Sequence, residues 1–377
     1  MLRALPHAWC RRRYAAVALS GSMIVLVPHA DARAQTERRT LAGDRVAVYN
    51  LAGRVQIEGG GGSDVSVEVS RGGSNGRSLR IATSEIHGRE TLRVIYSDDR
   101  IVYPELNRGS RTTINVNSDG TFGDERGDRD SDRNRVEIAA SGSGTEEYAD
   151  LRITVPRGKS LDLHLAVGEV RASNVDGDLH VDVSSASVTT EHTRGTLSLD
   201  TGSGRLEVND VQGDVELDTG SGGVVVNGVR GNTLKIDAGS GSMTVSDVDV
   251  RDFDADIGSG GFKARRIRSG RVSVDAGSGG AELELLSDVE RLTIDNGSGG
   301  VVVYLPESVG AQVEVETGSG GIDTDFPVQM RRWERNSLNG TIGDGRGRIH
   351  IESGSGRVQL KKGPAAGARE RERERDR

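Results

Sequence analysis

Apolar and polar residues alternate through most of the chain. Val46-x-Val48, Val55-x-Ile57 and Val65-x-Val67-x-Val69 open the pattern, and it persists to Val358-x-Leu360. A period of two predicts half-buried strands. A recurring tract, Asp/Glu-x-Gly-Ser-Gly, sets the phase, with its serine at Ser203, Ser221, Ser240, Ser259, Ser278, Ser298, Ser319 and Ser355, at steps of 18, 19, 19, 19, 20, 21 and 36 residues. Degenerate copies stand at 166–169 and 183–186. After each tract two apolar columns run Val224, Met243, Phe262, Ala281, Val301 and Val226, Val245, Ala264, Leu283, Val303. Before the next tract two more run Val215, Leu234, Phe253, Val272, Leu292, Val313 and Leu217, Ile236, Ala255, Val274, Ile294, Val315. A slip of one residue would turn all of them to solvent, so the register is strongly specified. The fold expected is all-β: a single-chain, β-helix-like β-solenoid of roughly ten coils. Glycines beside the serine fit a tight corner because they accept positive φ.

The organisation follows from where the alternation stops. Residues 35–103 are expected to form an irregular N-terminal β cap and the first coils. Residues 104–147 are polar and rich in Gly, Asp, Arg and Ser, and predict a mobile excursion. Residues 148–362 are the solenoid proper, and the 36-residue last step holds about one extra repeat. Within it, 326–339, with Met330 and Trp333, are expected to cap the open strands at the C-terminal end. The alternating Arg/Glu tail, 363–377, is expected to be disordered.

The first 34 residues read as a secretory signal: Arg11, Arg12 and Arg13, an apolar run over 15–27, then Ala32-Arg33-Ala34. That run is too short for a membrane span. The only cysteine, Cys10, would leave with it, excluding a thiolate metal site or a thiol nucleophile. The mature chain would hold 44 basic and 56 acidic residues, a net charge of −12, which disfavours nucleic acid. Aromatics at 3% and 53 glycines suit thin stacked coils rather than a bulky globular core.

Chemistry is sparse. Eight equivalent serines without a histidine at repeat spacing argue for a structural turn, since a nucleophile needs one distinguished site with an oriented base. Three residues before each serine stands an acid: Asp200, Asp218, Asp237, Asp256, Asp275, Asp295, Glu316 and Glu352. Such residues are expected to accept hydrogen bonds from turn amides. The alternative is a cation stripe, with Asp218, Asp237, Asp256, Asp275 and Asp295 offering oxygens to calcium, although the calcium-roll nonapeptide is missing. No other cofactor is expected. Arg126-Gly127-Asp128 and the acids Asp124, Glu125, Asp128, Asp130 and Asp132 are read as solvated loop. Gly158-Lys159-Ser160 lacks the upstream glycine of a phosphate loop, and His87, His164, His180, His192 and His350 show no metal-ligand spacing.

The serine ladder and the ending Asp323-Thr-Asp-Phe-Pro327 … Leu338-Asn-Gly-Thr-Ile-Gly343 … Ile349-His-Ile-Glu-Ser-Gly-Ser-Gly-Arg-Val-Gln-Leu360 resemble the bacterial putative-adhesin β-repeat family. That group is a domain of unknown function, similar to the head domains of autotransporter adhesins. The resemblance implies an all-β solenoid in the cell envelope or outside the cell, and transfers no catalytic residue. The expectation is a non-enzymatic, periplasmic or extracellular binding or scaffold module whose partner is an envelope protein or a polysaccharide. The alternatives are a polysaccharide-active β-helix enzyme and a purely structural envelope protein. Tyr304 and Trp333 are among the few aromatic platforms for a sugar.

Overall fold

The computed structural model describes residues 36–123 and 133–363. The leader, the Arg126-Gly127-Asp128 tripeptide, the acids at 124–132 and the tail from 364 lie outside the described residues.

The alternation folds as the β-solenoid it predicts. Val224–Ser240 pairs in parallel with Met243–Ser259, and that strand with Phe262–Ser278, each pairing advancing by 19 residues. The predicted columns are buried and in register: Val224, Met243 and Phe262 on one face, Leu234, Phe253 and Val272 on the other. Burying each Val, Leu or Ile contributes about 1.5–3 kcal/mol, set against the entropy of ordering the chain. Two further inward positions go beyond the four columns. One is Val211, Val229, Val248, Ile267, three residues after the second column because a left-handed residue intervenes. The other is the x of Asp/Glu-x-Gly-Ser-Gly, where Thr201, Thr219, Ala238, Ile257, Asn296, Ser353 and Thr317 are all buried. Arg45–Gly60 is a complete coil in this register, paired along its length with Ser160–Ser173.

Both ends depart from sequential stacking. Gly347–Ser353 lies between Arg291–Ser298 and Ala311–Thr317, parallel to both, and Val358–Lys362 lies between Val301–Leu305 and Ile322–Thr324. The last coil in sequence is therefore inserted beneath the one before it. Ile349 and Ile351 separate Leu292 and Ile294 from Val313 and Val315, which the sequence columns place side by side. At the other end Tyr148–Pro156 lies between Arg45–Gly60 and Val65–Gly72. The hairpin Val328–Glu334/Ser337–Ile342 adds antiparallel to Ala311–Thr317, extending one face of the final coil. Its Met330 is 57% exposed, so this residue is not part of a buried cap.

The excursion expected to be mobile is, over 104–123 and 133–147, an ordered part of a second sheet. Arg111–Asn117 pairs antiparallel with Arg133–Ala139, which pairs with Arg100–Val102, and that strand with Thr145–Glu146. Ile101, Tyr103, Val116, Phe122, Val136 and Ile138 pack on Ala47, Tyr49, Leu51, Ala52, Ala166 and Val167 of the first two coils. A short apolar set suffices here because the coils supply the other half of the core. Polar ties fix the base of this lateral sheet. Tyr96 Oη donates to Asn50 Oδ1 (2.8 Å), and the buried Glu147 carboxylate accepts from Ser97 N (2.8 Å) and Ser78 Oγ (2.6 Å).

Candidate functional site

The acidic residues do form one ladder. Asp200, Asp218, Asp237, Asp256, Asp275 and Asp295 are successive register partners on the outward face, followed by Glu352 and then Glu316 because of the inserted coil. Asp218, Asp237, Asp256, Asp275 and Asp295 thus stand in a line about 4.8 Å apart, not around a point. Among the described residues no group of three His, Cys, Asp or Glu is arranged to hold a metal ion. Burial, then the charge of Asp237, raises the carboxyl pKa of Asp218. Burial, then Asp237 and Asp275, does the same at Asp256.

The turn amides are not served by this ladder, contrary to expectation. Asn296 Nδ2 donates to Gly299 O (2.9 Å), Thr317 Oγ1 donates to Gly320 O (2.9 Å), and Gly356 N donates to Ser353 Oγ (3.1 Å). The x residue beside the acid, pointing inward, closes the corner in these coils. The aspartates that accept backbone N–H groups sit at the opposite corner. Asp178 accepts from Thr196 N (2.9 Å), and Asp214 from Asn232 N (2.9 Å) and Thr233 N (3.0 Å).

Below Asp182 the ladder ends under the lateral sheet. His164 stacks on Tyr49 at 4.2 Å and 4°, meets Phe122 edge-on at 6.3 Å, and places Nδ1 3.2 Å from Asp182 Oδ2. His180 Nδ1 lies 3.0 Å from Ser198 Oγ, a serine outside the turns. Asp162, the next residue down that register, is held by Arg89 instead of backing the imidazole.

The repeat is broken most clearly where the lateral sheet overhangs the glycine corner. A cleft of about 360 Å³ lies there, lined by Arg54, Tyr103, Glu105 and Asn107 on one side and by Glu169, Ser187 and Ser203 from successive coils on the other. Arg54 pairs with Glu105 at 2.7 Å, and Tyr103 Oη donates to Glu105 Oε2 at 3.1 Å. Burial, then the nearby Glu105 charge, drives the Tyr103 phenol above its ordinary pKa, so it stays a donor. Asp150 accepts from Arg54 N (2.8 Å), and burial raises its carboxyl pKa. The walls offer hydroxyls, an amide, a carboxylate and a guanidinium, a set suited to hydrogen-bonding a polar ligand. Sequence reading missed this site because its residues come from a loop and from coils far apart in the chain.

The family model described as Toastrack DUF4097 matches residues 129–361, more than half of the chain. The chain belongs to the Toastrack DUF4097 family. Among solved structures, this Toastrack chain is similar to the crystal structure of a putative cell adhesion protein from Clostridium sporogenes, at 12% identity, covering 87% of this chain and 99% of that chain with a TM-score of 0.21. The comparison with curated proteins finds no match. The solenoid assignment of this Toastrack protein stands on its own strand ladders.

Proposed function

We propose that this Toastrack protein is an exported, non-enzymatic binding module of the cell envelope, adhesin-like in role. Its recognition site is the cleft between the lateral sheet and the first coils. The observation that carries the reading is the cleft itself: one asymmetric, polar recess on an otherwise repeating surface. Ligand sites are concave with a few placed polar groups, and a hydroxyl-rich polysaccharide or an extended segment of an envelope protein matches these walls. The leader read over residues 1–34 supports export, and no helix among the described residues is long and apolar enough to cross a membrane. In the Ser198–His180 pair, Asp162 is engaged elsewhere, which weighs against the enzyme alternative.

The test is co-sedimentation of the mature protein with envelope polysaccharide and with intact cells, alongside a Glu105→Ala/Asn107→Ala variant. Binding that the variant loses by at least tenfold supports the cleft. Equal binding by both proteins removes the cleft, and release of reducing ends from the polysaccharide would replace the module by an enzyme. Fractionation of the producing cell tests the location: a chain that keeps its leader in the cytoplasm sinks export.

A further inference from the structure

The corner opposite the Gly-Ser-Gly turn has its own repeat, in conformation rather than in letters. Asn174, His192, Asp210, Asp247 and Arg266 all have φ between 53° and 58°, and Gly228 has 77°. Non-glycine residues rarely adopt this region, and Asn, Asp and His tolerate it best. Stacked coil on coil, these bends fold the strand face inward and leave a groove of about 310 Å³ running across several coils. Gly228 keeps its floor open, for a Cβ there would stand 2.7 Å from Asp210 Oδ1.

The charges in the groove do not cancel. Asp210 faces His192 Nε2 at 3.5 Å, and Asp176 is paired with Arg157 at 3.0 Å. Arg194 donates from Nε to the neutral Gln212 Oε1 at 3.3 Å. Arg230, in the same register as Gln212, makes no side-chain hydrogen bond or ion pair among the described residues. Two exposed guanidinium groups without a carboxylate partner thus stand two coils apart, about 10 Å at strand spacing, on a chain with a formal charge of −8. Guanidinium forks match carboxylate and phosphate oxygens bidentately. Around them Asn174, Gln212 and Asp210 present amides and a carboxylate suited to hydroxyl groups.

The geometry points to a second binding site, a groove for an anionic saccharide polymer laid along the stack. Its acidic groups are held by Arg194 and Arg230, and its hydroxyls by the amides and carboxylate between them. The inference rests on the binding-module reading but not on the cleft. Calorimetric titration of the mature protein at low ionic strength tests it, with polygalacturonate as a carboxylate polymer, poly(glycerol phosphate) as a phosphate polymer and dextran as the neutral control. At least one anionic polymer is expected to bind and dextran not to. Which anion binds identifies the acidic group. Arg194→Gln/Arg230→Gln is expected to weaken binding at least tenfold without moving the melting temperature, both side chains being exposed. Binding of neither anionic polymer, equal binding of dextran, or an undiminished affinity in the double variant overturns the groove. Loss of binding in Glu105→Ala/Asn107→Ala, with Arg194→Gln/Arg230→Gln unaffected, overturns it too and places the polymer in the cleft.

Discussion

The two corners of each coil solve the same problem in different ways. At the Gly-Ser-Gly corner successive coils touch backbone on backbone. A Cβ on Gly241 would stand 2.0 Å from Gly222 O, and one on Gly239 2.7 Å from Gly220 O. The demand comes from the neighbouring coil, so every coil must meet it with the same residue, and the motif repeats in letters. At the opposite corner the chain needs one left-handed residue, a demand internal to each coil. Asn174, His192, Asp210, Gly228, Asp247 and Arg266 all meet it, and no motif results. A constraint passed between coils writes a sequence repeat, whereas a constraint within a coil writes only a conformational one.

Substitutions at the glycine corner are expected to have the largest effects. The tightest position is Gly356 of the inserted coil, whose Cβ would fall 1.5 Å from Gly299 O, while a Cβ on Gly320 would fall 1.7 Å from Gly356 O. Backbone cannot yield as a side chain does. Gly356→Ala is therefore expected to destabilise by about 4 kcal/mol or more, beyond ordinary overpacking and a large part of the roughly 5–15 kcal/mol that holds a domain. Urea unfolding of the mature protein measures it. Gly260→Ala should be nearly as severe, its Cβ meeting Gly241 O at 1.8 Å, whereas Gly261→Ala, with nothing within 4 Å, should stay within about 0.5 kcal/mol. Wild-type stability in Gly356→Ala would contradict the insertion of the last coil between its two predecessors.

The left-handed corner should respond more gently and to shape rather than size. Arg266 has φ 55° and pairs with Asp247. Arg266→Val puts a β-branched residue in a region that rejects it, at a cost of about 1–2 kcal/mol. Arg266→Gly relieves the local strain but loses an exposed ion pair worth under about 1 kcal/mol, so its net change is expected to lie within about 1 kcal/mol of zero. Valine and glycine variants melting together would mean that this corner is not held left-handed in solution.

What was legible in the sequence follows the same division. The inward columns and the glycine turn could be read because they are demands that recur at one spacing. The column after the left-handed bend could not, since the bend shifts Val229 to three residues beyond Val226 and breaks the period of two. Nor could the order of the last coils: Leu292, Ile349 and Val313 fit the same slot equally well, and only the pairing tells that Ile349 lies between the others. The lateral sheet was hidden by composition, because Ile114 and Val116 are its few apolar residues in Arg111–Asn117 and their partners, such as Tyr49 and Leu51, sit at outward positions of a coil. Both candidate sites were invisible for a related reason. Each is assembled from residues that stacking or the lateral sheet brings together, with no spacing in the chain to announce them.

The smallest effect concerns the acidic ladder beside the glycine corner and asks whether it belongs to that corner's chemistry. Asp218 and Asp256 have carboxyl pKa values raised by burial first and by neighbouring aspartates second. A carboxyl that holds its proton more tightly folded than unfolded destabilises the fold while both states are ionised. Stability is regained as pH falls through the raised folded value towards the unfolded one. Asp218→Asn/Asp256→Asn removes that penalty. It is expected to raise stability near neutral pH by a few tenths of a kcal/mol, the scale of exposed charge pairs, and to flatten the gain seen on mild acidification. Melting curves between neutral pH and the aspartate range measure both. A fall in melting temperature at neutral pH would mean instead that the carboxylates bond the turn, and the corner would then depend on its acids as well as its glycines.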